Sequence, residues 1–593
     1  MPETTFDRVQ GLGADDRRNR LSTGAAVGLW GSLAACFLLY VFVATIFLGT
    51  HGFWSPDSAV RVVQVESLVR YGAHGLAVPY PAASIDPQGR YFPFGPWFHF
   101  VRDSRYYVSY PPYFPALVAP LYRAFGNAGL VALPLLTGLG AVWVTYGVLR
   151  RHVPAFALEG ALTLGLATPL VIYSTVFWDH APVVFLSAAA LGLVVRACAA
   201  ESGYRHRDLA YSGLLLGLGL WLRNEMYVLI PAVLIAWVCL GPRGRLRGVL
   251  PLGAGLIVPV GVLWALNRQL SGSLLGWKAE GLAASRTNGA METVTGHGVG
   301  PWLFDRLGNL YYQLISPDYY AFNSRAVTVG ILLAAGLGLA VLLLRVGVSR
   351  GHERAVVSAG LLSAAIGMLI ILRRTDVSGL LPVAPFLVLA LLPGRLAQWE
   401  RFLWTTAMLF IAGIVVTGTH GGLQWGPRYL LPVLPPLVWL AAAAVARART
   451  TAPVVWRPLQ LTAGALVVVG VLVQVSGVDQ VSQTMAINAR VNEALREAPS
   501  DVVVTPLEWV TLGAGPVYFD KSLMYVAQPD DLRALVARLR TLRVARWTYI
   551  PLSGPSFSPR AIESGANGQP YRFRVADDQM SGGLRFVTFV GRR

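Results

Sequence analysis

Acidic and basic side chains cluster at the ends of apolar segments of this chain. Asp57 follows the first such segment, in HGFWSPDSAVRVVQVESLVRYG, residues 51–72. A carboxylate can act as a general base, and guanidinium groups bind phosphate oxygens in a bidentate way. The other candidates for such chemistry are Arg102, Asp103, Arg105, Tyr106, Asp179, His180, Arg223, Glu225, Arg373, Arg374, Trp425 and Arg428. The set indicates binding of a phosphate beside a carboxylate.

Most of these residues also have a structural explanation. Ser55, Pro56 and Asp57 form a good helix start, with a capping hydroxyl, proline at the first helical position and an acid near the positive end of the helix dipole. Arg428 is harder to explain structurally, because Pro427 stiffens its backbone and nearby glycines allow that backbone to approach a ligand. A local ion pair would explain Arg223 with Glu225. Contact with lipid headgroups would explain Arg373 with Arg374. Capping of the next helix would explain Asp179 with His180.

The composition specifies the kind of protein that positions these residues. The 593-residue chain is 54% hydrophobic and 13% charged, and its mean hydropathy is +0.52. Soluble proteins carry about 25% charged residues. A segment that crosses a bilayer needs about 20 apolar residues and must satisfy its own backbone hydrogen bonds. We therefore predict a polytopic helical membrane protein with about thirteen spans, at 24–48, 128–149, 156–174, 181–199, 209–222, 226–241, 248–267, 326–345, 355–372, 379–393, 402–418, 430–446 and 458–476.

Charge asymmetry predicts the orientation of these spans. With the N-terminus in the cytoplasm, every predicted cytoplasmic turn is basic, as the positive-inside rule expects. An odd number of spans then places the C-terminus on the outer face. We predict a membrane domain at 1–476 and a small extracytoplasmic α/β domain at 477–593. Residues 49–127, called the first long loop below, and residues 268–325 are expected on the outer face.

The remaining composition excludes other classes. The net charge of +18 comes mainly from arginines in short loops, where positive charge sets topology, so nucleic acid is not an expected partner. Cys36, Cys198 and Cys239 lie in apolar runs and give neither a disulfide framework nor metal spacing. In the first long loop, residues 57–71 carry polar positions at helical spacing, which predicts a helix lying in the membrane interface.

Three stretches resemble a known family. They are the acidic residue soon after the first span, RYYVSYPPYFPALVAPLYRAFG in the first long loop, and GGLQWGPRYLLPVLPPLV near the end of the membrane domain. Together with LGNLYYQLISPDYYAFNSRAV, they are similar to the GT-C superfamily of polyprenyl-phosphate-sugar-dependent glycosyltransferases. That group includes the protein O-mannosyltransferases and the lipid A aminoarabinose transferases. The resemblance covers about residues 24–450 and leaves out the tail.

The resemblance implies that Asp57 matches the catalytic aspartate of the first loop. It also implies a plasma-membrane enzyme of the cell envelope with a cavity that lipid enters from the side. The chain departs from the family where many members have a basic residue before the Tyr-Pro-Pro motif, because Ser109 stands there. Ala132 likewise replaces an arginine of the aminoarabinose branch. The phosphate would then be bound by other arginines, with Arg428 and the Arg373–Arg374 pair ranked first.

The predicted reaction moves one sugar from a polyprenyl phosphate to an acceptor hydroxyl on the outer face, with inversion at the anomeric carbon. Asp57 would accept the proton, and fixed arginines would stabilise the departing phosphate, so no general acid is required. No cofactor is expected. A divalent cation is an alternative, although Asp57, Asp103, Asp179 and Asp376 show no recognisable ligand spacing.

Three rival functions stay open at this point. One is a transporter or lipid flippase, which would often show paired halves and polar residues at the midplane. Another is a glycan ligase or polymerase that uses a pyrophosphate-linked donor. The third is an inactive scaffold for the C-terminal domain. The sequence leaves the sugar open, and the acceptor could be protein, lipid or glycan.

Overall fold

The structure is a computed structural model. It describes residues 7–198, 205–241, 245–277, 279–280, 299–316, 379–392, 394–417, 424–451, 456–552, 558–559 and 572–592. These residues form a mostly helical molecule with a five-stranded sheet near the C-terminus and a two-stranded hairpin in the first long loop.

Helices are numbered here in chain order. The first eleven are α1 (Asp7–Gly49), α2 (Pro56–Tyr71), α3 (Tyr113–Phe125), α4 (Asn127–His152), α5 (Ala157–Leu166), α6 (Leu170–Tyr173), α7 (His180–Cys198), α8 (His206–Leu222), α9 (Met226–Leu240), α10 (Arg245–Ser271) and α11 (Val299–Leu314). The later ones are α12 (Leu380–Val383), α13 (Gln398–Thr417), α14 (Leu434–Thr451), α15 (Trp456–Glu497), α16 (Glu508–Gly513) and α17 (Pro529–Thr541). Short 3₁₀ turns are Gly72–Leu76, Pro154–Phe156, Pro385–Leu391, Arg428–Val433 and Gly515–Val517.

Seven helical stretches among the described residues are long and apolar enough to cross a membrane. They are Val27–Gly49, Asn127–His152, His180–Cys198, Leu246–Ser271, Gln398–Thr417, Arg428–Thr450 and Leu459–Glu497. Pro154–Leu166 and Met226–Leu240 are shorter apolar helices. The chain is an integral membrane protein, as its composition predicts.

Proline interrupts two of the predicted spans. The stretch 156–174 contains α5 and α6, with Pro169 between them. The described part of the stretch 379–393, residues 379–392, contains α12 and a 3₁₀ turn that begins at Pro385. Proline lacks the backbone donor that a continuous helix needs. Two further predicted spans, 326–345 and 355–372, lie outside the described residues. The count of about thirteen therefore stays a prediction.

The C-terminal sheet is mixed. Its strands are β3 (Val502–Thr505), β4 (Ser522–Tyr525), β5 (Arg546–Tyr549), β6 (Arg572–Ser581) and β7 (Leu584–Arg592). They lie in the order β4-β3-β5-β7-β6, with β3 parallel to both β4 and β5, and β7 antiparallel to both β5 and β6. Trp547 on β5 and Leu535 on α17 are fully buried in its core. A sheet with helices near the C-terminus agrees with the predicted α/β character.

One helix connects the membrane part to this sheet. α15 has 42 residues and is about 63 Å long at 1.5 Å per residue. It begins in the apolar part of the chain and ends five residues before β3. The helix continues through residue 476, where the sequence predicts a domain boundary, and that division stays a prediction.

The first long loop packs against the C-terminal sheet. Its hairpin pairs β1 (His99–Arg102) with β2 (Arg105–Val108). The Tyr525 amide of β4 donates to the Tyr91 carbonyl at 3.0 Å, and Phe94 stacks on Tyr518 with ring centroids 5.2 Å apart. Aromatic residues of the loop thus share one core with the sheet.

This packing corrects the prediction of an interfacial helix at 57–71. Among its predicted polar positions, Gln64 is 3% exposed and Ser67 is fully buried, so α2 is buried on both faces. Gly515 of the C-terminal domain lies so close that a β-carbon there would be 2.2 Å from the Ala59 carbonyl oxygen of α2. The C-terminal domain thus packs on the apolar face of α2, whereas Gln64 on the polar face donates to the Tyr110 carbonyl at 2.9 Å.

Candidate functional site

The start of α2 positions Asp57. Ser55 caps the helix, its hydroxyl accepting from the Asp57 amide at 3.2 Å, and Pro56 is the first helical residue. Gly72 ends the helix with φ of 60°, a conformation that suits glycine. The predicted helix start is confirmed. Because the cap fixes the backbone at the start of α2, the position of the Asp57 side chain is well defined.

Asp57 has two partners from distant parts of the chain. The Tyr110 hydroxyl donates to Oδ1 at 2.6 Å, and Nη1 of Arg428 donates to Oδ2 at 3.1 Å. The Asp57 and Arg428 side chains are 16% and 9% exposed. Arg428 begins a 3₁₀ turn directly after Pro427, and Gly426, with φ of 67°, lets the chain turn there.

A second group of charges lies beside the first. Asp179 accepts from Nη2 of Arg61 at 2.9 Å and from Nη1 of Arg223 at 2.7 Å. Arg223 also pairs with Glu225 at 2.5 Å, and its Nη1 lies 3.1 Å from Nε2 of His180. The Asp179 side chain is only 2% exposed. Asp179 therefore joins α2 to the loop after α8.

The surroundings hold these groups in defined protonation states. Burial, and then the Asp57 carboxylate, raise the pKa of Tyr110 well above its usual range, so the phenol stays protonated and donates. Burial alone would raise the pKa of Asp179, but Arg61 and Arg223 hold it below its usual range. Burial would lower the pKa of Arg223, but Glu225 and Asp179 raise it well above its usual range.

Aromatic rings line the arginines. The Arg61 guanidinium lies 4.5 Å from the centroid of the Tyr110 ring. The Arg428 guanidinium lies 5.2 Å from the Trp178 centroid and 5.0 Å from that of Tyr429, and its Nη2 donates to the Tyr429 hydroxyl at 3.1 Å. Such rings attract a desolvated cation by about 2 kcal/mol and fix its plane.

These side chains surround one cavity of about 260 Å³. Its lining residues are Asp57, Arg61, Tyr110, Pro111, Asp179, Leu222, Arg223, Asn224, Glu225, Val228, Ile414, Thr417, Arg428 and Tyr429. Three carboxylates and three guanidinium groups balance in charge. Nε and Nη1 of Arg61 and Nε of Arg428 are buried donors that find no hydrogen-bond partner among the residues that the structure describes. The arrangement suits an anionic ligand that accepts from such donors.

The structure brings six of the predicted site residues together, namely Asp57, Asp179, His180, Arg223, Glu225 and Arg428. Four others lie on the β1–β2 hairpin. There Nη1 of Arg102 donates to the Leu270 carbonyl at 3.0 Å, and Tyr106 stacks on Phe92 at 4.3 Å. Asp103 and Arg105 are exposed at the turn. None of these four lines the cavity around Asp57.

The remaining predicted residues are elsewhere. Trp425 is buried, and its Nε1 donates to Oε1 of Gln474 on α15 at 3.1 Å, which is a packing contact. Arg373 and Arg374 lie outside the described residues. Among the residues that the structure describes, no three His, Cys, Asp or Glu side chains form a group that could hold a metal ion.

Three lining residues that contact the charged groups, Arg61, Tyr110 and Tyr429, are missing from the predicted set. Arg61 lies four residues after Asp57, so it shares a helix face with it, and that spacing is a usable signal. Tyr110 lies in the YPPYF stretch of the first long loop. Tyr429 follows Arg428 directly. Only the tertiary structure shows that Tyr110 contacts Asp57.

Solved structures of two membrane proteins match the chain. ArnT from Cupriavidus metallidurans in the apo state is 13% identical, with 93% of this chain and 97% of that chain covered and a TM-score of 0.47. The same protein bound to undecaprenyl phosphate is 13% identical, with 94% and 98% covered and a TM-score of 0.48. The archaeal oligosaccharyltransferase AglB from Archaeoglobus fulgidus, in complex with an inhibitory peptide and a dolichol-phosphate, is 12% identical, with 87% and 69% covered and a TM-score of 0.41.

No protein-family model and no curated protein sequence matches the chain. The chain is thus structurally similar to ArnT and AglB over most of its length, at low sequence identity. This similarity concerns the path of the chain, and it assigns no role to any residue.

Proposed function

We propose that the protein is a membrane glycosyltransferase. It would move one sugar from a polyprenyl-phosphate donor to an acceptor hydroxyl on the outer face of the membrane, with inversion at the anomeric carbon. The observation that carries the proposal is the cavity in which a carboxylate, Asp57, lies next to three guanidinium groups, two of them with buried unpartnered donors. The family resemblance of the sequence points in the same direction.

The reaction needs one base and one anion site. The acceptor oxygen forms a bond to the anomeric carbon, its proton goes to Asp57, and the bond between that carbon and the phosphate oxygen breaks. The transition state has oxocarbenium character. The departing polyprenyl phosphate keeps the electron pair, and Arg428 and Arg61 would stabilise its charge. A base within hydrogen-bond reach contributes about 10²–10⁴ in rate.

The contacts of Asp57 suggest how donor binding would prepare the base. Oδ2 of Asp57 is engaged by Arg428 at 3.1 Å. A phosphate that binds Arg428 competes for the same Nη1 donor, because phosphate oxygens match the guanidinium fork. Tyr110 would keep the carboxylate in place through Oδ1. Asp57 would then accept a proton only when the donor is present.

The orientation of the site is part of this proposal. Asp57 follows the first span, and Arg428 precedes a later one, so both would lie at the outer ends of spans if the N-terminus is cytoplasmic. The C-terminal domain and about thirteen spans belong to the same proposed topology. The Arg373–Arg374 pair stays a further proposed phosphate contact.

The test uses purified protein in lipid nanodiscs with radiolabelled undecaprenyl-phosphate sugars. The choice of lipid follows the ligand in the matched ArnT complex. Membranes of the source organism supply acceptors, and undecaprenyl-pyrophosphate sugars form a parallel arm. We expect transfer from the monophosphate donor alone. Uptake of labelled lipid into vesicles without transfer would point to a transporter instead.

Variants assign the roles. Asp57→Asn keeps the shape and the Tyr110 contact but removes the base, so transfer should fall about 10²–10⁴-fold. Arg428→Ala should weaken donor binding, and Arg428→Lys should restore it only in part because lysine lacks the planar fork. Asp103→Asn is the control, because that side chain is 82% exposed on the hairpin. Near-full transfer by Asp57→Asn would falsify the proposed base.

A further inference from the structure

A second cavity lies on the other side of α2. It measures about 400 Å³, within the range of ~300–1,000 Å³ that is usual for small-molecule sites. Val62 and Glu66 line it, whereas Asp57 and Arg61 line the first cavity, and at 3.6 residues per turn these pairs lie on roughly opposite helix faces. The two cavities share no lining residue. The second one is therefore a separate site.

Several parts of the chain build its walls. The apolar part comes from the end of α1 and the segment after it, the start of α4, the segment before α7, and α15, with Phe47, Phe53, Leu130, Val131, Phe177 and Met485. Polar groups of α2, α3 and α15 complete it, namely Glu66, Tyr122, Asn492, Glu493 and Arg496. A cavity with one apolar side and one polar side suits an amphipathic ligand.

The polar side is constructed by hydrogen bonds. Glu66 is 13% exposed at its side chain, and it accepts from the Tyr122 hydroxyl at 3.2 Å and from Arg70 at 3.4 Å. Burial raises the pKa of the Glu66 carboxyl. Asn492 is 3% exposed, and its Nδ2 donates to the Gly513 carbonyl at 3.2 Å.

The Asn492 side chain is the second observation that points to a ligand. Because its Nδ2 donates to Gly513, the other amide atom, Oδ1, is the acceptor. This oxygen is buried and has no hydrogen-bond partner within the described part of the chain. An unsatisfied buried acceptor costs about 1–3 kcal/mol, so a hydroxyl donor that reached it would be favoured. Glu66 offers a further acceptor on the same side of the cavity.

The charges disfavour a phosphate here. The lining holds two carboxylates, Glu66 and Glu493, one guanidinium, Arg496, and the His51 imidazole, whereas the carboxylates and guanidinium groups of the cavity around Asp57 are equal in number. The acceptor atoms and the negative charge of the lining favour an uncharged ligand with several hydroxyl groups that can donate hydrogen bonds. A sugar ring has such hydroxyl groups at its edge and apolar C–H faces that pack against Phe53 or Phe177.

We propose that this cavity is a second binding site, for an uncharged sugar ring of the kind carried by a free saccharide or by a glycolipid headgroup. The ring's hydroxyl groups donate to Glu66 and to Oδ1 of Asn492. The apolar side, at the end of α1, receives the C–H face or the first carbons of an attached chain. No step of sugar transfer enters this inference, so it stands apart from the proposed function.

The experiment uses the full chain in nanodiscs and a diazirine-bearing alkyl β-D-glucoside as the photoreactive probe. Mass spectrometry then maps the labelled peptides. We expect saturable labelling of residues 485–496 on α15 or 62–66 on α2, because both segments line the cavity. Unsaturable labelling, or labelling confined to peptides around Asp57, would overturn the proposal.

Competitors identify the ligand class in the wild-type protein. Methyl β-D-glucoside should compete if a free saccharide suffices, and octyl β-D-glucoside alone should compete if an attached chain is needed. Either result supports a sugar site. Octyl phosphate should compete at least ten-fold more weakly than octyl glucoside, and equal competition would contradict the argument from charge.

Variants then locate the contacts. Asn492→Leu and Glu66→Met should each reduce specific labelling about ten-fold. Glu497→Gln is the matched control, because Glu497 is an exposed acid near the same end of α15 that does not line the cavity. Thermal unfolding midpoints verify that the variants fold. Folded variants that label like the wild type would overturn the proposed contacts.

Discussion

Asp179 is the residue whose loss should disturb the site most. It lies between two guanidinium groups, 2.9 Å from Arg61 and 2.7 Å from Arg223, with side-chain exposures of 2%, 4% and 11% for the three residues. Arg223 keeps a partner in Glu225 when Asp179 is neutralised. Arg61 loses the carboxylate with which it forms a salt bridge among the residues that the structure describes, and it keeps its contact with the Tyr110 ring. The substitution Asp179→Asn therefore leaves one buried positive charge uncompensated.

The structure sets the expected size of this effect. Removing one partner of a buried ion pair costs about 3–5 kcal/mol, because the remaining charge stays desolvated. Asp179 serves two such partners, so we expect Asp179→Asn to lower the free energy of unfolding by an amount near the upper end of that range. Asp530→Asn is the control. Its pair with Arg533 is 87% and 80% exposed, and exposed pairs contribute about 0–1 kcal/mol.

A second substitution separates charge from packing. Arg61→Met removes the unpaired guanidinium but keeps an apolar stem against Tyr110. Replacing a buried ion pair by apolar side chains is often neutral. The double variant of Asp179→Asn with Arg61→Met should therefore recover most of the lost free energy.

The assay is equilibrium unfolding by sodium dodecyl sulfate in mixed micelles, followed by tryptophan fluorescence. Two results would refute the reasoning. One is a loss below about 1 kcal/mol for Asp179→Asn, which would mean that the charges are hydrated. The other is a double variant that is less stable than the sum of the single changes, since the two residues would then not act as a pair.

The pH dependence follows from the same contacts. Arg61 and Arg223 hold the pKa of Asp179 below its ordinary value of about 3.9, so the unfolded chain takes up this proton at a higher pH than the folded protein does. The stabilisation is complete above about pH 5 and is lost as the pH falls through the folded pKa. The difference between wild type and Asp179→Asn should thus shrink below about pH 4 and stay constant from pH 5 to 8.

Two further predictions concern the position of Asp57. Tyr110→Phe removes the 2.6 Å hydrogen bond to Asp57, worth about 1.5–3 kcal/mol for a charged acceptor, so transfer should fall about ten- to one-hundred-fold at unchanged donor affinity, and unchanged transfer would contradict this role. Gly515→Ala places a β-carbon 2.2 Å from the Ala59 carbonyl oxygen and should cost about 1–3 kcal/mol and speed proteolysis of the C-terminal domain. Gly513→Ala, whose β-carbon would lie 4.0 Å from Oδ1 of Asn488, should cost less; equal effects of both changes would argue against tight packing on α2.

Local signals of the sequence predicted the local parts of the site. The Ser55–Pro56–Asp57 helix start depends on neighbouring residues alone, and the structure confirms it. Arg428 was singled out from its adjacent proline and glycines, and it does contact Asp57. Charge in an apolar setting was the useful signal in both cases, because such groups need partners.

Contacts between distant residues were beyond the same reasoning. Tyr110 is 53 residues from Asp57, and nothing in its local sequence indicates that its hydroxyl is directed there. Trp425 looked like a site residue beside Arg428, yet it packs on Gln474 of α15. The polar face of α2 is predicted to meet water or headgroups, but Tyr110, Asp179 and Arg428 contact it instead. The C-terminal domain packs on the opposite face, at Ala59. Hydrophobic periodicity predicts which face of a helix is polar, but it does not predict which residues pack against that face.

The distance along the chain between Asp57 and Arg428 has a consequence for biogenesis. The two residues are separated by 371 positions, and Gly515, which supports α2 from behind, comes later still. During synthesis, Asp57 leaves the ribosome long before the groups that pair with it. The newly inserted N-terminal helices thus contain the Asp57 carboxylate and Arg61 before Arg428 has been synthesised. A chain that stops before residue 428 would have its early helices in the bilayer but would lack Arg428 and Tyr429 of the site, so such premature products should be inactive rather than partly active.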